Sequence, residues 1–255
     1  MAGSPLAHIS HCVPDPKATI LLVHGGFSDS HEWNTIWPLL IAERYNVLIP
    51  DLPGHGQSRE VTPFELDDAA RLLAHLIQDH TLEQRAHVVA MSIGAHVAAT
   101  LAVQYPERVH SLIISGFNLF SPNLLSPALP YLAYTVQRTS SFLKAPTVEW
   151  GQSRSEGVSL ATTCDIFRIL FSSRTLGPIV ARSCVVAATK PGLSADNVHH
   201  ARRLFETIHS DSGRRLVQHR GMQHPWNVDE PQLFAKMVIC WVQGEDLPEG
   251  FEPIA

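Results

Sequence analysis

The chain has 255 residues, of which 45% are hydrophobic and 17% are charged, so it is long enough and apolar enough to bury a substantial core. The formal net charge of −5 argues against the basic surface that nucleic-acid binding requires. The four cysteines lie far apart without Cys-x-x-Cys spacing, which favours reduced thiols in an intracellular protein over disulfides or a zinc site.

The first residues, "MAGSPLAHISHC", contain no basic stretch followed by an apolar one, as a secretory signal would. No apolar run along the chain approaches the roughly 18 residues typical of a membrane span. We therefore expect a cytoplasmic protein without a membrane span.

Short apolar runs of the strand type alternate with helical patterns, which predicts an α/β fold with a mostly parallel sheet covered by helices. The first run, "ATILLVHGG", is almost continuously apolar and ends in glycines, as expected of a strand buried on both faces. In the segment "ELDDAARLLAHLIQDH" the apolar residues fall on one helical stripe. The predicted strands are 18–26, 45–56, 86–92, 109–116, 183–190 and 214–221, and the predicted helices are 65–80, 93–106 and 230–244.

The long connection between the fourth and fifth predicted strands has no strand signal over about 65 residues. It contains five prolines, with apolar helical stretches between them. A connection of this length is usually a functional lid or an inserted subdomain. We therefore predict a helical lid of residues 117–182, inserted into a core formed by residues 1–116 and 183–255.

The segment "AMSIGAH" (90–96) places Ser92 where a strand turns sharply into a helix. A nucleophile elbow needs small residues two positions on either side of the serine, and Ala90 and Gly94 meet that need. The alternative is a chance Ser-x-Gly after an apolar run. In an elbow, the Ser92 hydroxyl would project above the sheet at the positive end of a helix.

Two further segments fit the same chemistry. The glycines of "HGG" (24–26) follow an earlier strand, where a backbone N–H can join that of Ile93 to stabilise an oxyanion. The alternative is a tight glycine turn without chemistry. His224, in "GMQHPWN" after the last predicted strand, could take a proton from Ser92 and return it to a leaving group. A lone histidine is otherwise more often structural.

The sequence resembles the α/β-hydrolase superfamily through "HGGFSDSHEW", "DLPGHGQS", "AMSIGAH" and "GMQHPW", which occur in that family's order across nearly the whole chain. The resemblance implies an α/β-hydrolase fold, a lid at 117–182 and a triad in the order nucleophile, acid, histidine. It also implies a structural role for "DLPGHGQS", beside the pocket. The C-terminal segment is similar to small fungal α/β hydrolases, some of which are linked to natural-product pathways.

The acid of the implied triad is not where a common family pattern places it, because Pro191 follows Lys190. If 192–195 is a loop insertion, Asp196 reaches the acid position. The alternative for Asp196 is a helix N-cap, which stabilises a helix by about 1 kcal/mol. Asn118, after the fourth strand, and Asp165, in the lid, are the other candidates for the group that orients His224.

Other conspicuous residues suggest neither a metal nor a cofactor. His8 with His11, and His199 with His200, lack a third ligand to complete a metal site. Two tryptophans four residues apart, on a predicted helix after the glycine loop, are expected in the core. Phe27 and Met91 flank the expected oxyanion residues, so we expect them to line the pocket floor.

The function that these features favour is a serine esterase, thioesterase or C–C-bond hydrolase acting on an apolar, carbonyl-containing small molecule, including secondary metabolites. Ser92 would be the nucleophile, His224 the base, Asp196 the orienting acid, and the N–H groups of Gly26 or Phe27 and of Ile93 the oxyanion donors. The alternatives are a cyclase, lyase or isomerase using the same pocket and a non-catalytic ligand receptor. The only expected partner besides the substrate is a second copy of the chain, with a homodimer left open.

Overall fold

The computed structural model describes residues 5–81, 83–143, 157–172, 176–192 and 194–254, with residues 140–143 as helical backbone alone. Within these residues eight strands form one sheet, in the order β1-β3-β2-β4-β5-β6-β7-β8. The strands are β1 (His8–His11), β2 (Thr19–Val23), β3 (Asn46–Pro50), β4 (Ala86–Met91), β5 (Val109–Ser115), β6 (Arg182–Ala188), β7 (Arg215–His219) and β8 (Glu252–Pro253).

The six central strands, β2 to β7, pair in parallel, and each lies within a range predicted from the sequence or begins one residue before it. The outer strands β1 and β8 pair antiparallel and were not predicted. Their sequences, HISH and EP, have no apolar run because edge strands need no burial on both faces. The mostly parallel α/β sheet is therefore confirmed, with two antiparallel edges added.

Helices cover both faces of the sheet. The predictions for 65–80, 93–106 and 230–244 are confirmed to within two residues at each end. The helices are α1 (Trp37–Ala42), α2 (Leu66–His80), α3 (Ile93–Gln104), α4 (Leu129–Leu143), α5 (Leu160–Leu170), α6 (Val198–Glu206), α7 (Trp226–Asp229) and α8 (Pro231–Gln243).

The sheet divides the core into two clusters, because successive side chains of a strand point to opposite faces. Leu112 of β5 packs with residues of α2, α3 and α6 on one face. Its neighbour Ile113 packs with residues of α1 and α8 on the other face. The connections between strands and helices meet at the carboxyl edge of the parallel strands, which is where open α/β sheets place their ligand sites.

The prediction that Trp33 and Trp37 share a helix is wrong. Residues Ser30–Trp33 form a short 3₁₀ turn, and α1 begins only at Trp37, followed by Pro38 in the first turn that helices tolerate. Trp33 is fully buried, as expected. Trp37 is partly exposed and stacks on His11, with 3.8 Å between ring centroids.

The connection from β5 to β6, predicted as a lid, contains α4 and α5 in its described part. Helix α5 is attached to the core, because Asp165 Oδ2 accepts the N–H of Phe64 at 3.0 Å. Arg168, one turn further along α5, donates to Glu65 at 2.9 Å. None of the helices in the described ranges is long and apolar enough to cross a membrane.

Candidate active site

Ser92 lies in the sharp turn between β4 and α3, with φ 55° and ψ −121°. A non-glycine residue adopts such a conformation only under strain, which is characteristic of functional turns. The turn depends on Gly94, because a Cβ there would lie 2.8 Å from the carbonyl oxygen of Val23 and closer still to that of His24. The Ser92 N–H donates to Ser115 O at 2.9 Å, which fixes the turn to the end of β5.

The glycine loop after β2 is held by His24, whose Nε2 accepts the N–H of Leu52 at 2.9 Å. The other ring nitrogen of His24 therefore carries the proton and donates to Gly25 O at 2.7 Å. Phe27, at the end of the loop, has φ 62° and is a second non-glycine residue in the left-handed region. A Cβ on Gly26 would lie 3.5 Å from Ile93 Cγ2, so the loop lies directly against the first turn of α3.

Asp196 and His224 form a pair, with 3.6 Å between Asp196 Oδ1 and His224 Nδ1. The Asp196 side chain is only 2% exposed, whereas that of His224 is 22% exposed. The loops that carry them are joined by a backbone hydrogen bond of 3.0 Å from His224 N–H to Ser194 O. Although Pro191 supplies no carboxylate, that of Asp196 therefore lies beside His224.

Asp196 reaches this place because the chain returns to the end of β6 after an excursion over 189–195. The N–H of Asp196 donates to Ala188 O at 2.8 Å, and the N–H of Ala188 donates to Asp196 Oδ2 at 2.8 Å. Asp196 is not the N-cap of α6. That position belongs to Asn197, whose side chain accepts the N–H of His199.

Burial raises the pKa of the Asp196 carboxyl above its ordinary value. Three neighbours oppose this shift, namely the nearby His224, the Ala188 N–H and the Asn118 amide, which donates to Asp196 Oδ1 at 3.2 Å. The site thus combines a strongly desolvated carboxylate with a set of donors that favour its charged form.

The other two candidates for the acid have different roles. The side-chain amide of Asn118 donates a hydrogen bond to the carboxylate of Asp196. Asp165 pairs with Arg168 at 2.8 Å and with the Phe64 N–H, so its carboxylate fastens α5 to the core.

The imidazole of His224 rests on Gly116, just beyond β5. Gly116 has φ +72°, and a Cβ there would lie 2.5 Å from His224 Nδ1 and 3.4 Å from Ser92 N. The same glycine therefore adjoins both His224 and Ser92. Its role was not predicted, although a glycine directly after a buried strand indicates a close approach of another group.

A buried carboxylate, Glu32, joins the glycine loop to the histidine loop and was also not predicted. Glu32 Oε2 accepts the N–H of Gly25 at 2.9 Å, and Oε1 accepts the side-chain amide of Asn227 at 2.9 Å. Glu32 is 4% exposed and Asn227 is fully buried. The sequence gives no signal for this bridge beyond the position of Glu32 in "HGGFSDSHEW".

Phe27 and Met91 were expected to line the pocket floor. Phe27 is partly buried in the glycine loop. Met91 is 1% exposed and packs in the core cluster of the α1 and α8 face.

The apolar residues of the connecting segment differ widely in exposure. Phe117 is 7% exposed and packs in the core, whereas Leu124 is 96% exposed. The segment also exposes Phe120, Leu125, Tyr131, Leu132 and Val136.

Of the histidines noted in the sequence, His8, His199 and His200 lie near other histidine rings. The ring of His8 lies edge-on to that of His80, and His199 and His200 have ring centroids 6.2 Å apart. Across the described part of the chain, no group of three or more His, Cys, Asp or Glu side chains is arranged to hold a metal ion.

Comparison with known proteins shows which family the chain belongs to. A family profile for the alpha/beta hydrolase fold matches residues 18–166. A Gibberella zeae protein named as an AB hydrolase superfamily protein is 54% identical over 236 residues, covering 92% of this chain and 84% of its own. A 2-hydroxy-6-oxononadienedioate/2-hydroxy-6-oxononatrienedioate hydrolase of Paraburkholderia phymatum is 30% identical over 138 residues, which are 52% of this chain and 46% of that protein. A pimeloyl-[acyl-carrier protein] methyl ester esterase of Neisseria meningitidis is 32% identical over 104 residues, which are 41% of this chain and 38% of that protein.

Solved structures match nearly the whole chain. A hydrolase from Pseudomonas aeruginosa superimposes with a TM-score of 0.75 at 19% identity, over 94% of both chains. An enol-lactonase from Burkholderia xenovorans superimposes with a TM-score of 0.69 at 18% identity, over 93% of this chain and 96% of that one. At these identities the likeness establishes the fold.

Proposed function

Because the chain belongs to the alpha/beta hydrolase family, we propose that it is a serine hydrolase acting on an apolar, carbonyl-containing small molecule. The single observation that carries the proposal is the pairing of buried Asp196 with His224, above Gly116 and beside the strained turn at Ser92. Strain, a buried acid and a histidine on converging loops are the components that activate a serine nucleophile.

In the proposed acylation step, Ser92 Oγ attacks the carbonyl carbon while His224 takes the hydroxyl proton. The carbonyl π-electrons move to oxygen, and the resulting oxyanion accepts hydrogen bonds from the N–H of Ile93 and that of Gly26 or Phe27. Collapse of this intermediate breaks the bond to the leaving group, which departs with the proton from His224. An acyl group remains on Ser92.

In the second step, water attacks the acyl carbon as His224 accepts one of its protons. The carbon–oxygen bond to Ser92 breaks, and His224 returns the proton to Ser92 Oγ. Asp196 stabilises the imidazolium that forms in each step and holds the ring in one orientation. The carboxylate oxygen facing the ring suits that role.

The leaving group defines the reaction class, and we propose an ester, a thioester or a C–C bond beside a carbonyl. Relatives named as a methyl ester esterase and as a 2-hydroxy-6-oxononadienedioate/2-hydroxy-6-oxononatrienedioate hydrolase support this range. We further propose that 117–182 acts as a lid, because Ile166 of α5 lies against Gly26 in the glycine loop. An apolar cover of this kind suits an apolar substrate, such as a secondary metabolite.

The absence of an acid at Pro191 is the feature that favours the alternative of a cyclase, lyase or isomerase. The Asp196 carboxylate beside His224 supports hydrolysis instead. A covalent adduct at Ser92 would distinguish hydrolysis from this alternative and from a ligand receptor.

The test is reaction with a fluorophosphonate probe, followed by mass spectrometry of the labelled peptide. We expect wild-type protein to be labelled at Ser92, and Asp196→Asn to lower the labelling rate at least about 100-fold. Asp68→Asn is the matched control, since it neutralises an exposed acid of α2 that pairs with Arg71, and its labelling should stay near that of wild type. Wild-type protein that is not labelled at Ser92, or is labelled equally well in Asp196→Asn, would contradict the proposal.

A further inference from the structure

We propose that Asn118 is a positioning residue for the active site, whose amide holds the Asp196 carboxylate ionised and turned toward His224. This inference rests on the proposed function and deepens it. Asn118 Nδ2 donates at 3.2 Å to Asp196 Oδ1, which is the same oxygen that lies 3.6 Å from His224 Nδ1.

The orientation of the Asn118 amide is determined by its second partner. Asn118 Oδ1 accepts the backbone N–H of Asn197 at 2.9 Å, and only the oxygen end of an amide can accept from an N–H group. The NH₂ end must therefore point at Asp196. The backbone oxygen of Asn118 is also held, because His96 Nε2 lies 3.0 Å from it.

The Asp196 carboxylate needs this donor because it is almost completely removed from water. Each of its two oxygens accepts a hydrogen bond from a different donor. Oδ2 accepts the Ala188 N–H, and Oδ1 accepts the Asn118 amide. Without the amide, Oδ1 would face His224 alone, at a distance longer than a good hydrogen bond. A buried anion with one unsatisfied oxygen is easily protonated or displaced.

The ionisable groups around this pair come from three elements. His224 faces it from the loop after β7, His96 from α3, and His200, with its neighbour His199, from α6. Burial lowers the pKa of His96 to about 4, and it also lowers that of His200. These two rings are therefore expected to stay neutral near pH 7.

The experiment measures the rate of fluorophosphonate labelling of Ser92 from pH 5 to pH 9 in the full chain. Asn118→Ala should lower the plateau rate at least about 10-fold, because a hydrogen bond to a charged group is lost. Asn118→Asp keeps the shape, and its side chain, when ionised, removes the donor and adds a charge. The labelling rate is expected to fall at low pH, and we call this fall the acid limb of the pH–rate profile. Asn118→Asp should shift the acid limb to higher pH by about one pH unit or more, since a second carboxylate stabilises the protonated imidazole of His224.

Asn46→Asp is the matched control. Asn46 lies at the opposite, amino-terminal edge of the sheet and uses its side-chain oxygen to accept the N–H of Val13, which an aspartate can also do. The same added charge there should leave the limb unmoved. The position of the limb does not depend on how much of the protein is folded, so it separates positioning from a loss of stability.

An Asn118→Ala rate within about twofold of wild type would overturn the inference by itself. A wild-type chain that is not labelled at Ser92 would instead overturn the proposed function, and this inference with it. Wild-type labelling with a shifted limb in Asn118→Asp, and none in Asn46→Asp, supports both.

Discussion

Gly116 and His224 lie so close together that no side chain at position 116 fits between them, since a Cβ there would be 2.5 Å from His224 Nδ1. Gly116→Ala should therefore displace the imidazole from Asp196 and Ser92. We expect kcat/KM with an activated ester to fall at least about 100-fold, as for a misplaced catalytic group.

The control for this substitution is Gly213→Ala, because Gly213 has almost the same backbone angle, φ +73°, but its nearest foreign atom would be 3.5 Å away. Both variants should lose about 1–2 kcal/mol of stability to backbone strain. Equal loss of activity in the two variants would show that strain, and not contact with His224, explains the result.

The strain at Ser92 should be measurable as stability. Ser92→Ala and Ser92→Gly both remove the nucleophile, but only glycine adopts φ 55° without a Cβ penalty. We expect the glycine variant to be more stable than the alanine variant by about 1 kcal/mol in urea unfolding. If the alanine variant is the more stable of the two, the turn stores no strain of this kind.

The Glu32 bridge should contribute strongly to stability. Glu32→Ala leaves the Gly25 N–H and the Asn227 amide buried without their acceptor, and each loss costs about 1–3 kcal/mol. We expect a total of roughly 2–5 kcal/mol in urea unfolding. Glu65→Ala, which removes an exposed partner of Arg168, is the control and should cost less than about 1 kcal/mol. Similar costs for both would contradict the bridging role.

Stability should decrease on mild acidification. Burial lowers the pKa of His55 and of His87 to about 3, and that of His96 to about 4, from an ordinary 6.5. Below pH 6.5 the unfolded chain binds protons that the folded chain does not, so the free energy of unfolding falls as the pH falls. Each histidine contributes up to about 1.4 kcal/mol per pH unit.

Urea unfolding at several pH values between 7 and 5 measures this slope. In His87→Gln, which lies at the amino-terminal edge of the sheet, the slope should be smaller by about one proton. A free energy of unfolding that is constant between pH 7 and pH 5 would be inconsistent with neutral buried histidines.

The sequence was most informative where burial on both faces leaves a pattern. The parallel strands contain apolar runs, nearly continuous in β2, and Ser92 stands out because the turn allows only small residues such as Ala90 and Gly94 around it. The edge strands β1 and β8 have no such requirement, and their sequences do not reveal them.

The positions of the remaining site groups depend on contacts between distant segments. Asp196 and Asp165 are both plausible acids in the sequence, and only the pairing of Asp196 with Ala188 returns that carboxylate to the end of β6. Glu32 is one acidic residue among many until the fold buries it against Asn227. Such pairings involve two loops at once, so a local pattern cannot predict them.

The core has two faces, and the candidate site joins them. Asp196 leads directly into α6, whose Leu204 packs on one face of the sheet, whereas His224 leads into Trp226, which packs on the other. A partly folded chain with only one layer docked would retain much of its helix and strand content, yet would lack the Asp196–His224 pair. Recovery of activity during refolding would therefore report when both layers have assembled, which the circular dichroism of the backbone alone does not.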